Sequence, residues 1–141
     1  MPNWSFLLLL CAACGGSSSS LPQGPDPAPW VEGETRKGTT QVRWRPEGGP
    51  IPLNEYFALE VELSDPTTAA RVEGAELFVR CEMPAHGHGM NVEPKAREES
   101  EGRYRVEGML LHMTGEWVLS VDVVIEGRAE SVSFPITLTL E

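Results

Sequence analysis

From Thr40 to the C-terminus, apolar residues recur every second position rather than every 3.6, which is the period of a half-buried strand. Val42 and Trp44 alternate with Gln41 and Arg43, and Phe57, Leu59, Val61 and Leu63 alternate with Ala58, Glu60 and Glu62. Leu77, Val79 and Cys81 alternate with Glu76, Phe78, Arg80 and Glu82; Tyr104 and Val106 alternate with Arg103, Arg105 and Glu107. Trp117, Leu119, Val121, Val123 and Ile125 form a fifth run, and Val132, Phe134, Ile136, Leu138 and Leu140 a sixth. Turn-forming segments such as Pro46-Glu47-Gly48-Gly49-Pro50 and Ser64-Asp65-Pro66 separate the early runs, and Glu126-Gly127-Arg128 joins the last two as a hairpin. Pro135 falls on the outward register of its run and predicts an edge strand. No segment carries a helical stripe. The pattern predicts an all-β domain, an immunoglobulin-like antiparallel sandwich of about six to seven strands without the Cys…Trp…Cys core.

The first residues follow a different rule. Phe6 to Leu10 is an unbroken apolar run leading into Cys11-Ala12-Ala13-Cys14-Gly15-Gly16. It is far shorter than the roughly 20 apolar residues a membrane-spanning helix needs, and an apolar core ending in small residues fits a secretory signal. Ala12-Ala13-Cys14-Gly15 resembles the lipobox of bacterial lipoproteins, which implies cleavage before Cys14 and its lipidation. No Lys or Arg precedes the run, and Cys11 stands where an aliphatic residue is usual. Gly15 to Pro29 is Ser-, Gly- and Pro-rich and cannot bury apolar surface, so it is expected to act as a tether. The expected organisation is a signal peptide over 1–13, a lipidated Cys and linker over 14–35, and the β-domain over 36–141. Trp30 and Val31 either begin the fold or end the tether. The expected location is the cell envelope, on the periplasmic or extracellular face, and Gly15 rather than Asp after Cys14 favours an outer membrane.

Charge narrows the partners. Lys plus Arg is 11 and Asp plus Glu is 21, a net charge of −10. Such a chain repels nucleic acid and anionic lipid headgroups. The expected partners are the membrane, through the anchor alone, and an envelope protein.

Removal of Cys11 and acylation of Cys14 would leave Cys81 as a lone thiol, either buried and inert or reactive. The longest irregular stretch, Met83 to about Glu101, opens with Met83-Pro84-Ala85-His86-Gly87-His88-Gly89-Met90, and long loops in compact domains usually carry function. The third histidine, His112, adjoins Met113 in the connection between the fourth and fifth predicted strands. With Greek-key strands A, B, C, E, F and G, and a degenerate D inside the long loop, the two connections fall at one end of the sandwich. Imidazole and thioether together suit copper, Cu(I) above all, and thioether binds Mg, Ca or Zn poorly. The candidate ligands are His86, His88, Met90, His112 and Met113, with Cys81 last. The competing reading makes Met83 and Cys81 core residues, sets Met113 beneath Trp117, and leaves the glycines only to turn the chain.

The elements Met83-Pro84-x-His86-Gly87-His88-Gly89-Met90, Gly102-Arg103-Tyr104-Arg105-Val106 and Met113-x-Gly115-x-Trp117 resemble the YtkA-like domain, a relative of the FixH-like domain, over about Ala75 to Val123. The resemblance implies a small β-sandwich on an exported or membrane-anchored protein, often near copper-handling or oxidase-assembly components. It implies no defined activity. No nucleophile arrangement or phosphate-cradling glycine loop is present in the sequence, so no enzymatic activity is expected. Two functions remain open: a copper-binding or copper-delivery lipoprotein, and a non-metal scaffolding, adhesion or assembly module of the envelope.

Overall fold

The computed structural model describes residues 27–140. The signal segment, Cys14 and most of the linker lie outside the described residues. Among the described residues nine strands run in order: β1 (Val31–Glu34), β2 (Gln41–Pro46), β3 (Tyr56–Ser64), β4 (Glu76–Met83), β5 (His88–Gly89), β6 (Lys95–Ser100), β7 (Arg103–Leu110), β8 (Gly115–Ile125) and β9 (Arg128–Leu138). No described residue is helical. They form two antiparallel sheets, one in the order β1-β2-β3-β7-β6 and the other in the order β5-β4-β8-β9. With β1 and β5 set aside, these are the A-B-E-D and C-F-G orders of an immunoglobulin-type sandwich.

All six predicted runs are strands, and three further strands make nine rather than six to seven. The additional three are short and lie at or beside sheet edges. β1 and β6 each turn a single half-buried residue inward, Gly33 and Ala96. Such strands carry no apolar alternation to detect. The domain also starts earlier than residue 36, since Val31 to Glu34 pair with Trp44 to Gln41. Trp30 lies over the Arg43 and Arg45 guanidiniums, 4.6 and 4.4 Å from its ring centre, a cation–π stack that seats the entering chain on the sheet. The degenerate strand expected in the long loop is β6, which pairs with β7 and so has crossed to the opposite sheet.

Inward side chains of both sheets interdigitate. Val42, Trp44, Leu59, Val61 and Leu63 face Val79, Cys81, Trp117, Leu119 and Val121 in one continuous core, and Trp44 meets Phe134 edge-on with ring centres 6.0 Å apart. Pro135 sits on β9, an edge strand as predicted. Leu140 lies beyond β9 and is exposed, so its place in the alternation is lost where pairing ends.

The outer face of the five-stranded sheet is a ladder of alternating arginines and glutamates. Its centre is Glu62, only 4 % exposed, whose carboxylate takes ion pairs from Arg43, Arg71 and Arg103. Burial alone would raise this carboxyl, but hydrogen bonds from Arg71 and Arg43 outweigh it and hold it below the usual carboxylate range.

Candidate metal centre

β4 delivers the His-rich segment to the end of the sandwich. Its inward positions end at Met83, 2 % exposed, and Pro84 then ends the strand. The Met83 carbonyl accepts hydrogen bonds from the His86 and Gly87 amides at 3.1 and 3.0 Å. Gly87, at φ +66°, supplies the left-handed residue that closes the turn. The chain returns as β5, with Met83 opposite His88 and Glu82 opposite Gly89. The Met90 amide donates to the Cys81 carbonyl at 3.0 Å. The segment expected to be irregular is thus a tight hairpin.

This register decides where the side chains go. Residues opposite one another share a face, so His88 lies on the inward side with Met83 and is half-buried. Met90 shares that face and packs against the core. His86 sits in the turn itself and is exposed.

The connection from β7 to β8 opens at the same end. Leu111 is fully buried, and its carbonyl accepts from the Asn54 amide at 2.8 Å. His112 follows, half-buried. The Trp117 indole N–H donates to the Met113 carbonyl at 2.9 Å, which ties the connection down onto the first inward residue of β8. Met113 is 37 % exposed, at the rim.

The three histidines therefore meet. His88 and His112 have ring centres 5.3 Å apart at an interplanar angle of 30°, and His86 lies 5.8 Å from His88. Both His88 and His112 stand edge-on to Trp117, at 6.0 and 5.6 Å. Trp117, with no exposed surface, is the floor of the cluster. The sequence pattern placed Trp117 on a strand, over Met113 and within the family elements, but not beneath the histidines; its inward register two positions after Gly115, at the end where both His segments emerge, was the signal for this role.

His88 Nδ1 lies 3.3 Å from the Gly89 carbonyl oxygen. With the proton on Nδ1, this contact leaves the Nε2 lone pair free, the form of imidazole that ligates metals. Among the described residues, no three His, Cys, Asp or Glu side chains stand as a ready metal-binding group. The cluster is ring proximity and not a formed chelate. Cys81 is buried in the core, and desolvation pushes its thiol up to about 12. At neutral pH it is a thiol, whereas the thiolate is the ligating form.

Gly115 joins the two halves of the site. It has φ +126°, and a Cβ there would stand 2.9 Å from Met83 Cε. The Met83 and Gly115-x-Trp117 elements of the sequence resemblance are thus a packing pair beneath the histidines.

The family description YtkA-like matches residues 53–122. No curated protein matches the chain. No solved structure matches it. The matched stretch runs from the approach to β3 through most of β8 and holds all three histidines and Trp117. Over residues 53–122 the chain belongs to the YtkA-like family.

Proposed function

We propose that this chain is an exported, lipid-anchored envelope protein that binds copper, as Cu(I), at the histidine end of its sandwich. The observation that carries this reading is the pairing of His88 with His112, ring centres 5.3 Å apart, from two separate connections. Two imidazoles sharing one ion at metal–nitrogen distances of about 2.0 Å have ring centres about 5 to 6.5 Å apart, from tetrahedral to linear arrangement. Both His88–His112 and His86–His88 fall in that range. His88 and His112 are the central ligands, His86 and Met113 complete the set from the exposed side, and Met90 joins only by leaving the core. Imidazole with thioether and no carboxylate in the cluster favours a soft monovalent ion. A rim-exposed His86 and Met113 suit hand-over of the ion to another protein better than permanent storage.

The anchor rests on Ala12-Ala13-Cys14-Gly15, with Cys14 acylated, and on the Ser/Gly/Pro tether behind it. The second reading is a scaffolding, adhesion or assembly module of the envelope without metal. Competition with a chromogenic Cu(I) chelator separates the two. Sub-micromolar Cu(I) binding by the purified chain that disappears in His86→Ala/His88→Ala supports the copper reading. No competition at any concentration supports the module.

A further inference from the structure

Among the described residues, the four-stranded sheet leaves most of β4 without a hydrogen-bonded neighbour at its edge. β5 covers β4 only at Glu82 and Met83, so among the described residues Glu76 to Arg80 are hydrogen-bonded to β8 on one side and to no strand on the other, where β6 of the opposite sheet runs close by but unpaired with β4. The direction of the backbone there follows from the register. The Cys81 and Met83 carbonyls both accept from the β5 side, and in an antiparallel strand alternate residues turn both backbone groups to the same side. Leu77 and Val79 therefore turn their N–H and C=O groups to the open edge. An open groove of about 530 Å³ runs along it, walled on the far side by Val92 to Ala96. On the outward face of the same five residues, Phe78 is 57 % exposed, unusual for a large apolar side chain on a strand edge.

We propose that two copies of the chain pair through this edge, antiparallel and centred on Phe78, joining their four-stranded sheets into one. The sequence Glu76-Leu77-Phe78-Val79-Arg80 is self-complementary in that register. Glu76 faces the partner's Arg80, Leu77 faces the partner's Val79, and Phe78 faces the partner's Phe78. The pairing matches the backbone directions, since Leu77 and Val79 form the hydrogen-bonded pairs and Phe78 the close, non-hydrogen-bonded pair whose side chains touch. Neighbouring registers lose the Glu76–Arg80 pairing. Centring on Val79 sets Glu76 against the partner's Glu82, and centring on Leu77 sets it against the partner's Phe78. Arg80 already reaches Asp122 on β8 but keeps 52 % of its side chain exposed, enough to bridge to a second carboxylate. The opposite edge of the sheet, β9, carries Pro135, which has no N–H to offer a neighbour.

Sedimentation velocity on the full chain over a concentration series tests this. A monomer–dimer equilibrium with a dissociation constant below about 1 mM is expected, abolished by Phe78→Glu. Glu76→Arg or Arg80→Glu alone sets like charges opposite each other twice in the dimer and weakens it about tenfold. The double reversal Glu76→Arg/Arg80→Glu restores it to within a few-fold. A monomer at every concentration overturns the proposal, as does a dimer indifferent to Phe78→Glu or a double reversal no tighter than the singles. Amide exchange supplies a readout that needs no variant: Leu77 and Val79 must exchange more slowly at high concentration, and concentration-independent rates overturn the pairing.

Discussion

His88 and His112 stack with ring centres 5.3 Å apart on the edge of a buried Trp117, although one lies on the β4–β5 hairpin and the other on the β7–β8 connection. Antiparallel order places the end of β4 and the start of β8 side by side, with Cys81 opposite Leu119 and Glu82 opposite Val118. Any residue just beyond β4 is thereby brought to any residue just before β8. The chemistry of the site is a consequence of strand order, and local sequence decides only which side chains stand there.

Trp117 supports the cluster through its ring and its N–H. Trp117→Phe removes the hydrogen bond to the Met113 carbonyl and leaves that acceptor and a small void. A loss of about 1–3 kcal/mol in urea unfolding is expected, together with shifted ring resonances of His88 and His112 in NMR spectra. Unchanged imidazole signals would separate the tryptophan from the histidines.

Gly115→Ala places a methyl group 2.9 Å from Met83 Cε at φ +126°, a backbone conformation that L side chains rarely adopt. Crowding and backbone strain together are expected to lower stability by about 2–4 kcal/mol. Gly115→Ala in a Met83→Ala background should recover the crowding part and leave the strain. Thermal melts of the three variants check this.

The six apolar runs were legible because each buries most of one face, most regularly in β4, where every second residue is buried. β1 and β6 were not, because a strand that buries one residue has no period. The proximity of the two His segments was legible from strand order alone. The hairpin was not, since Pro84 and the glycines fit a tight turn and a loose loop equally well. Met90 differs from the other candidates in depth: it shares the inward face with His88 but packs against the core.

Glu62 contributes to the acid limb of stability. Its folded carboxyl lies below its ordinary value of 4.5, so its contribution is fully present above that value and is lost as pH falls through the lower, folded one. Glu62→Gln should cost about 1–3 kcal/mol at pH 7, because it leaves three arginines gathered around a neutral group. The wild-type advantage should shrink steadily below pH 4.5. Denaturant midpoints at pH 7, 4.5 and 3 measure both effects, and an advantage that grows on acidification would contradict the assignment.

Cys81 is protected by burial, with its thiol raised to about 12. At pH 8 it should resist maleimide labelling in the native chain and react only as fast as the fold opens. Peptide-level mass spectrometry resolves it from the two N-terminal cysteines. Rapid native labelling would show the core to be open at the end of β4.

The copper claim stands or falls on His88 and His112 acting on one ion. The most direct measurement is X-ray absorption of a Cys11→Ser/Cys14→Ser form of the chain loaded with one equivalent of Cu(I), compared with the same form carrying His112→Ala. The expected spectrum has at least two imidazole ligands and a sulfur scatterer, and loses one imidazole in the variant while Cys81→Ser leaves it unchanged. A wild-type spectrum with fewer than two imidazoles, or one that His112→Ala does not alter, would contradict it.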